Sequence, residues 1–148
     1  MRPRLILAAL TLATFTGATA TAFAADENFA VKLVATDGFY VDNDPEGPSG
    51  GDLFGSEGPL RDSGKQVGHF HAACVSTSAT MNGQCNVTLA LRNRGKIQLA
   101  GVIRQSQDHS RLTITGGRGD FRGADGYADV TKANEEGSRQ RVELSIWY

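Results

Sequence analysis

Residues 84–105, QCNVTLALRNRGKIQLAGVIRQ, hold two alternating runs on either side of a tight turn. In the first run Val87, Leu89 and Leu91 stand at every second position. In the second, Ile97, Leu99 and Ile103 share a face with Gly101. A period of two belongs to a strand with one buried face, because successive side chains point to opposite sides of the backbone. Asn93-Arg94-Gly95 between the runs is turn chemistry. The stretch therefore predicts an antiparallel hairpin with one apolar face.

Outward from this hairpin the same pattern recurs. Phe29 to Ala35 reads as a first strand, Gly51 to Leu60 as a second and Lys65 to Ser76 as a third. Gln84 to Arg92 and Lys96 to Gln105 are the fourth and fifth. Arg111 to Thr115, Gly126 to Lys132 and Arg139 to Tyr148 follow. Asp42 to Gly51 and the Gly-rich Gly116 to Gly123 read as loops. No stretch keeps a helical period long enough to predict a helix. About eight short strands with turns between them predict an all-β fold, a sandwich or a barrel. An eight-stranded antiparallel up-and-down barrel needs only short links and leaves no exposed sheet edge, but pattern alone does not separate the two architectures.

The N-terminus is different in kind. Arg2 and Arg4 precede an apolar run from Leu5 to Thr16, and Ala22-Phe23-Ala24 is an A-x-A cleavage pattern. That order predicts a secretory signal peptide over residues 1–24, and so a secreted, extracellular product. The run is shorter than the ~20 apolar residues a membrane helix needs, so no membrane association is expected after cleavage. Residues 25–148 are then expected to form one domain. Of 15 basic and 16 acidic residues, the leader holds two arginines, and the remaining basic residues are scattered. Nucleic acid is not expected as a partner, because phosphate binding needs a concentrated basic face.

Cys74 and Cys85 are the two cysteines. An oxidising compartment favours a disulfide between them, the alternative being two buried thiols. If Val75 to Gln84, with its Asn82-Gly83, closes a hairpin, the two lie opposite each other on neighbouring strands. Cys85 shares the parity of Val87, Leu89 and Leu91, so the bridge would face inward. By the same parity His69 and His71 face outward and are expected at the surface or between subunits; no metal site is expected.

Three segments carry a resemblance. They are Gly51-Asp52-Leu53-Phe54 through Pro59-Leu60-Arg61-Asp62, then Lys65-Gln66-Val67-Gly68 to Cys74; Gly95-Lys96-Ile97 to Gly101; and Leu112-Thr113-Ile114-Thr115-Gly116-Gly117-Arg118-Gly119-Asp120-Phe121-Arg122-Gly123-Ala124-Asp125-Gly126. In order and spacing, over about residues 51–131, they resemble the allene oxide cyclase and dirigent protein superfamily. The resemblance implies an eight-stranded antiparallel barrel, a lumen for a small hydrophobic or phenolic molecule, and a homotrimer. Plant allene oxide cyclases use a lumen Glu on the first strand, an Asn on the second, a Cys on the third and a Tyr on the fifth. Here Cys74 matches the Cys, Gly58 stands at the Asn and Ile103 near the Tyr, while Val31 to Ala35 offers no carboxylate. The electrostatic machinery of that cyclisation is therefore not expected. Dirigent proteins have Arg where Asp125 stands here, which reverses a charge.

Parity and resemblance together nominate Asp52, Phe54, Phe70, Leu89, Leu99, Ile103, Ile114 and Leu144 as lumen residues. Asp120, Arg122 and Asp125 are the expected polar rim. The Gly-rich string lacks a Walker lysine and a following helix, so no nucleotide is expected, nor any other cofactor. The functional expectation is a barrel that orients a bound molecule for a stereoselective cyclisation or coupling. The alternative is a secreted binder without catalysis: a small-molecule carrier, or a module that docks on a protein or the cell wall.

Overall fold

The hairpin over residues 84–105 forms, and it is the central pair of a closed sheet. The computed structural model describes residues 26–148; the expected signal peptide lies outside the described residues. Nine strands follow one another: β1 (Glu27–Val34), β2 (Asp37–Val41), β3 (Leu53–Asp62), β4 (Lys65–Ser76), β5 (Gly83–Leu91), β6 (Gly95–Ile103), β7 (His109–Gly119), β8 (Asp125–Lys132) and β9 (Arg139–Trp147). No helix occurs among the described residues.

Every pairing is antiparallel, and the order β1-β9-β8-β7-β6-β5-β4-β3 closes on itself because β1 also pairs with β3, at Lys32↔Arg61 and Leu33↔Leu60. The result is an eight-stranded barrel of neighbours in sequence. Closure satisfies the backbone groups that an open sheet would leave on its edges. The inward row of each strand makes the core: Phe70 on β4, Val87 and Leu89 on β5, Ile97 and Leu99 on β6, Leu112 and Ile114 on β7, Val142 and Leu144 on β9.

β2 is the ninth strand and stands outside this closure. Beyond Ala35-Thr36 the chain swerves away from the barrel wall and pairs with the first half of β3, Asp37↔Glu57 to Val41↔Leu53. The switch occurs at Gly58, where a Cβ would collide with the Val34 carbonyl oxygen. Only glycine lets the backbones approach so closely there. The position that the resemblance assigns to an Asn is therefore covered by main chain.

The Gly-rich segment corrects the sequence reading. Gly116–Gly119 is not loop but the second half of β7, paired with Gly95–Gln98 beyond a register shift at Gln98/Leu99. Thr115 is the extra residue of that bulge. Bulges bend a strand and strengthen its twist. Here the bend carries the glycines over the end of the barrel, and the turn is confined to residues 120–124.

Candidate functional site

Strand direction sorts the inward residues into two halves. β4, β6 and β8 run toward one end of the barrel, and β5, β7 and β9 run back. One end carries the connections at residues 63–64, 92–94 and 120–124; the other carries those at 77–82, 104–108 and 133–138.

The first end is plugged. Phe121, wholly buried, folds back over Gly117 and lies 6.1 Å from the Phe29 ring. The Arg94 guanidinium stands over both rings, 4.6 Å from Phe121 and 5.1 Å from Phe29. It donates to Glu27 Oε2 at 2.6 Å and sits 3.5 Å from Asp120 Oδ2. The bond to Glu27 holds the guanidinium protonated, raising its pKa further. Ile97, Ile114, Leu144 and Ile146 fill the space above.

The second end is hollow. A cavity of about 250 Å³ opens there. Its walls are Leu33, Phe54, Phe70, Ala72, Cys74, Val87, Leu89, Leu99, Leu112, Val130 and Val142. Polar groups crowd its mouth: Gln105, Gln107, Asp108 and Ser110 from the β6–β7 connection, Lys132, and Glu136, Ser138 and Gln140 around the β8–β9 turn. The titratable side chains lining the cavity, among the described residues, are Asp108, Lys132 and Glu136, all at the mouth. An apolar body with polar groups at one edge is the usual composition of a small-molecule pocket.

The residues nominated from sequence divide accordingly. Phe54, Phe70, Leu89, Leu99 and Ile103 line the cavity. Ile114 and Leu144 point inward too, but one step deeper, in the packed half. Asp120, Arg122 and Asp125 are not at the cavity mouth; they stand in or beside the β7–β8 turn, at the plugged end. Alternation places a side chain inside or outside but does not say which end is open. Asp52 is fully buried yet lines no part of the cavity. Its carboxylate gathers the loop before β3, accepting from Tyr40 Oη at 2.8 Å, Asn43 N at 3.0 Å, Ser49 N at 2.7 Å and Ser49 Oγ at 2.9 Å. The Ser49 amide, with Asn43, Tyr40 and the Ser49 hydroxyl, lowers its pKa to about 2. The same carboxylate pushes the Tyr40 hydroxyl up to about 12.

Cys74 and Cys85 face each other across β4 and β5 and form a disulfide, with Cα atoms 4.0 Å apart. Cys74 borders the cavity as half of that bond, not as a thiol. His69 and His71 are exposed on the outer face, His69 beside Gln66 at 2.8 Å and His71 Nδ1 2.9 Å from Glu57 Oε2.

Sequence reasoning missed the mouth. Gln107, Asp108 and Glu136 look like ordinary turn residues, and Gln105 ends the expected fifth strand. Lys132 alone carried a signal, since it continues the inward series Gly126, Ala128, Val130 on β8.

Comparison with known proteins agrees with the geometry. The family model described as dirigent-like protein matches residues 55–147. Among solved structures, a pyocyanin demethylase superposes with a TM-score of 0.72 at 22% identity, over 81% of this chain and 99% of that one. A pterocarpan synthase dirigent protein gives 0.62 at 20%, over 83% and 87%. A Diels–Alderase from Streptomyces koyangensis gives 0.67 at 16%, over 86% and 70%. At these identities the likeness is one of fold. No curated protein matches the chain in sequence.

Proposed function

We propose that this chain, which belongs to the dirigent-like protein family, takes a small hydrophobic or phenolic molecule into the open half of its barrel and holds it for a stereoselective coupling or cyclisation. The observation that carries this reading is the cavity of about 250 Å³, apolar along its walls and polar only at its mouth. A molecule seated there has one end among aliphatic and aromatic side chains and the other among hydrogen-bonding groups, so it lies in one orientation. The walls hold no titratable group, and Cys74 is bound to Cys85. The barrel's contribution is therefore positioning and exclusion of water, which is worth several kcal/mol of a barrier when reacting atoms are held close. Solved structures of the same fold include a dirigent protein and a Diels–Alderase, which supports the reading without deciding the substrate.

The test is product stereochemistry. Phenols with a one-electron oxidant, and fatty-acid epoxides, are turned over with the protein present and absent, and the enantiomers are separated by chiral chromatography. A skewed ratio that Leu99→Trp abolishes, by filling the lumen, supports the proposal. A racemic outcome with every substrate overturns it. A second reading, a carrier without catalysis, is favoured by the same lack of titratable groups in the walls; it predicts saturable binding with racemic products.

Two further features belong to this reading. The protein is taken to act outside the cytoplasm, where its disulfide persists. On the outer wall Val41, Leu53 and Val75 form an exposed apolar row across β2, β3 and β4, with Val102 of β6 beyond the polar Gln84 of β5; this exposed apolar surface supports the homotrimer as the working assembly.

A further inference from the structure

Lys132 is the last inward residue of β8, above Val130, and among the described residues lining the cavity it is the one cation. Its side chain is 23% exposed, whereas Asp108 beside it is 90% exposed. Glu136, the other carboxylate of the mouth, is also exposed. Charges in water are strongly screened, and a partly buried charge beside an apolar cavity is screened less. The ammonium therefore dominates what a molecule in the cavity experiences, even though two carboxylates stand on the lip.

Hydrogen bonding leaves this ammonium unsaturated. Nζ donates to the Gln105 carbonyl oxygen at 2.6 Å. Asp108 Oδ1 lies 3.9 Å away, beyond hydrogen-bond distance. An ammonium has three protons, so two remain to be directed elsewhere. Ser110 stands nearby at the mouth; its oxygen accepts from Arg104 N at 3.4 Å, and its own proton is free to donate. A half-buried cation with spare donors beside a second donor is a receptor for an anionic oxygen.

We propose that Lys132 sets the specificity of the cavity, selecting molecules with an apolar body that end in an ionised oxygen, a carboxylate or a phenolate. This rests on the lumen-binding reading above and names the ligand class of that same site. The ligand's body lies against Val87, Leu99 and Leu112, and its charged end reaches the mouth at Lys132.

Lys132 also ties the β6–β7 connection, through Gln105 and through its own amide to the Asp108 carbonyl. A purely structural clamp has to be told apart from selection, and ligand charge does this. Binding of naphthalene-2-carboxylate, 4-nitrophenolate and the neutral naphthalene-2-carboxamide is measured by calorimetry on the mature chain, as wild type, Lys132→Met and Lys132→Arg. Wild type is expected to favour the anions over the amide. Lys132→Met is expected to weaken the anions about tenfold or more, the scale of one charged hydrogen bond, and to leave the amide unchanged. Lys132→Arg restores the anions. If the carboxylate binds and 4-nitrophenolate does not, the class narrows to carboxylates, and the reverse narrows it to phenolates. Equal binding of carboxylate and amide by the wild type, or equal losses for both in Lys132→Met, overturns the assignment while the lumen reading stands. Failure of every probe to bind the wild type overturns both.

Discussion

At the scale of single residues, Asp52 shows how a motif residue can be placed by sequence and misassigned in role. Four donors converge on its carboxylate, and the bonds pull the loop between β2 and β3 onto the barrel. Because its pKa falls to about 2 in the folded chain, its contribution to stability is complete above the ordinary carboxylate range. That contribution is lost as the pH drops through about 4 toward 2. Asp52→Asn is expected to lower the melting temperature at neutral pH, and the two melting curves should converge as the pH approaches 2. Thermal unfolding followed by circular dichroism across that range checks it; a gap that stays constant with pH would show that the charge is immaterial. The sequence placed Asp52 at a strand start inside a family-like string. It could not show that Tyr40 and Ser49, 12 and 3 residues away, would claim both carboxylate oxygens. The inward wall residues Phe54, Phe70, Leu89, Leu99 and Ile103 were legible because burial follows parity.

At the scale of strands, eight of the nine elements announced themselves by alternation or length, but β2 and the second half of β7 did not. All five residues of β2 are exposed, so no face of it is selected to be apolar and no period of two appears. The second half of β7 is Gly-Gly-Arg-Gly, which has no side chains to alternate. The β4–β5 pair was read correctly down to its cross-link. Cys74 and Cys85 occupy one register position of an antiparallel ladder, 11 residues apart in sequence. Replacing both by alanine frees a loop of that length in the unfolded chain. The expected loss is about 3 kcal/mol. Denaturant unfolding of the double variant, and of the wild type with reductant, should give equal losses. A loss in the variant much larger than in the reduced protein would assign the effect to packing in the cavity wall instead.

At the scale of the molecule, the order of amphipathic strands was legible from alternation, while the choice of a barrel over a sandwich rested on the family resemblance, because both architectures bury one face of each strand. Which end is hollow was not legible. It depends on Phe121, which the turn after β7 swings inward, and on Arg94 reaching Glu27 across 67 residues of chain. Those contacts have no local signature, and so the expected rim fell at the wrong end. The outer apolar row is a molecular-scale feature too. If Val41, Leu53, Val75 and Val102 meet a second copy, native mass spectrometry of the mature chain shows three times the monomer mass, and Val75→Glu reduces it to one; a monomer in the wild type removes the trimer. The plug of Phe29, Phe121 and Arg94 also governs traffic. It makes the barrel a cul-de-sac. Whatever enters must leave by the same door, so the first molecule in is the last out. On the proposed function, two reactants cannot arrive from opposite sides, and a product held at Lys132 bars its successor.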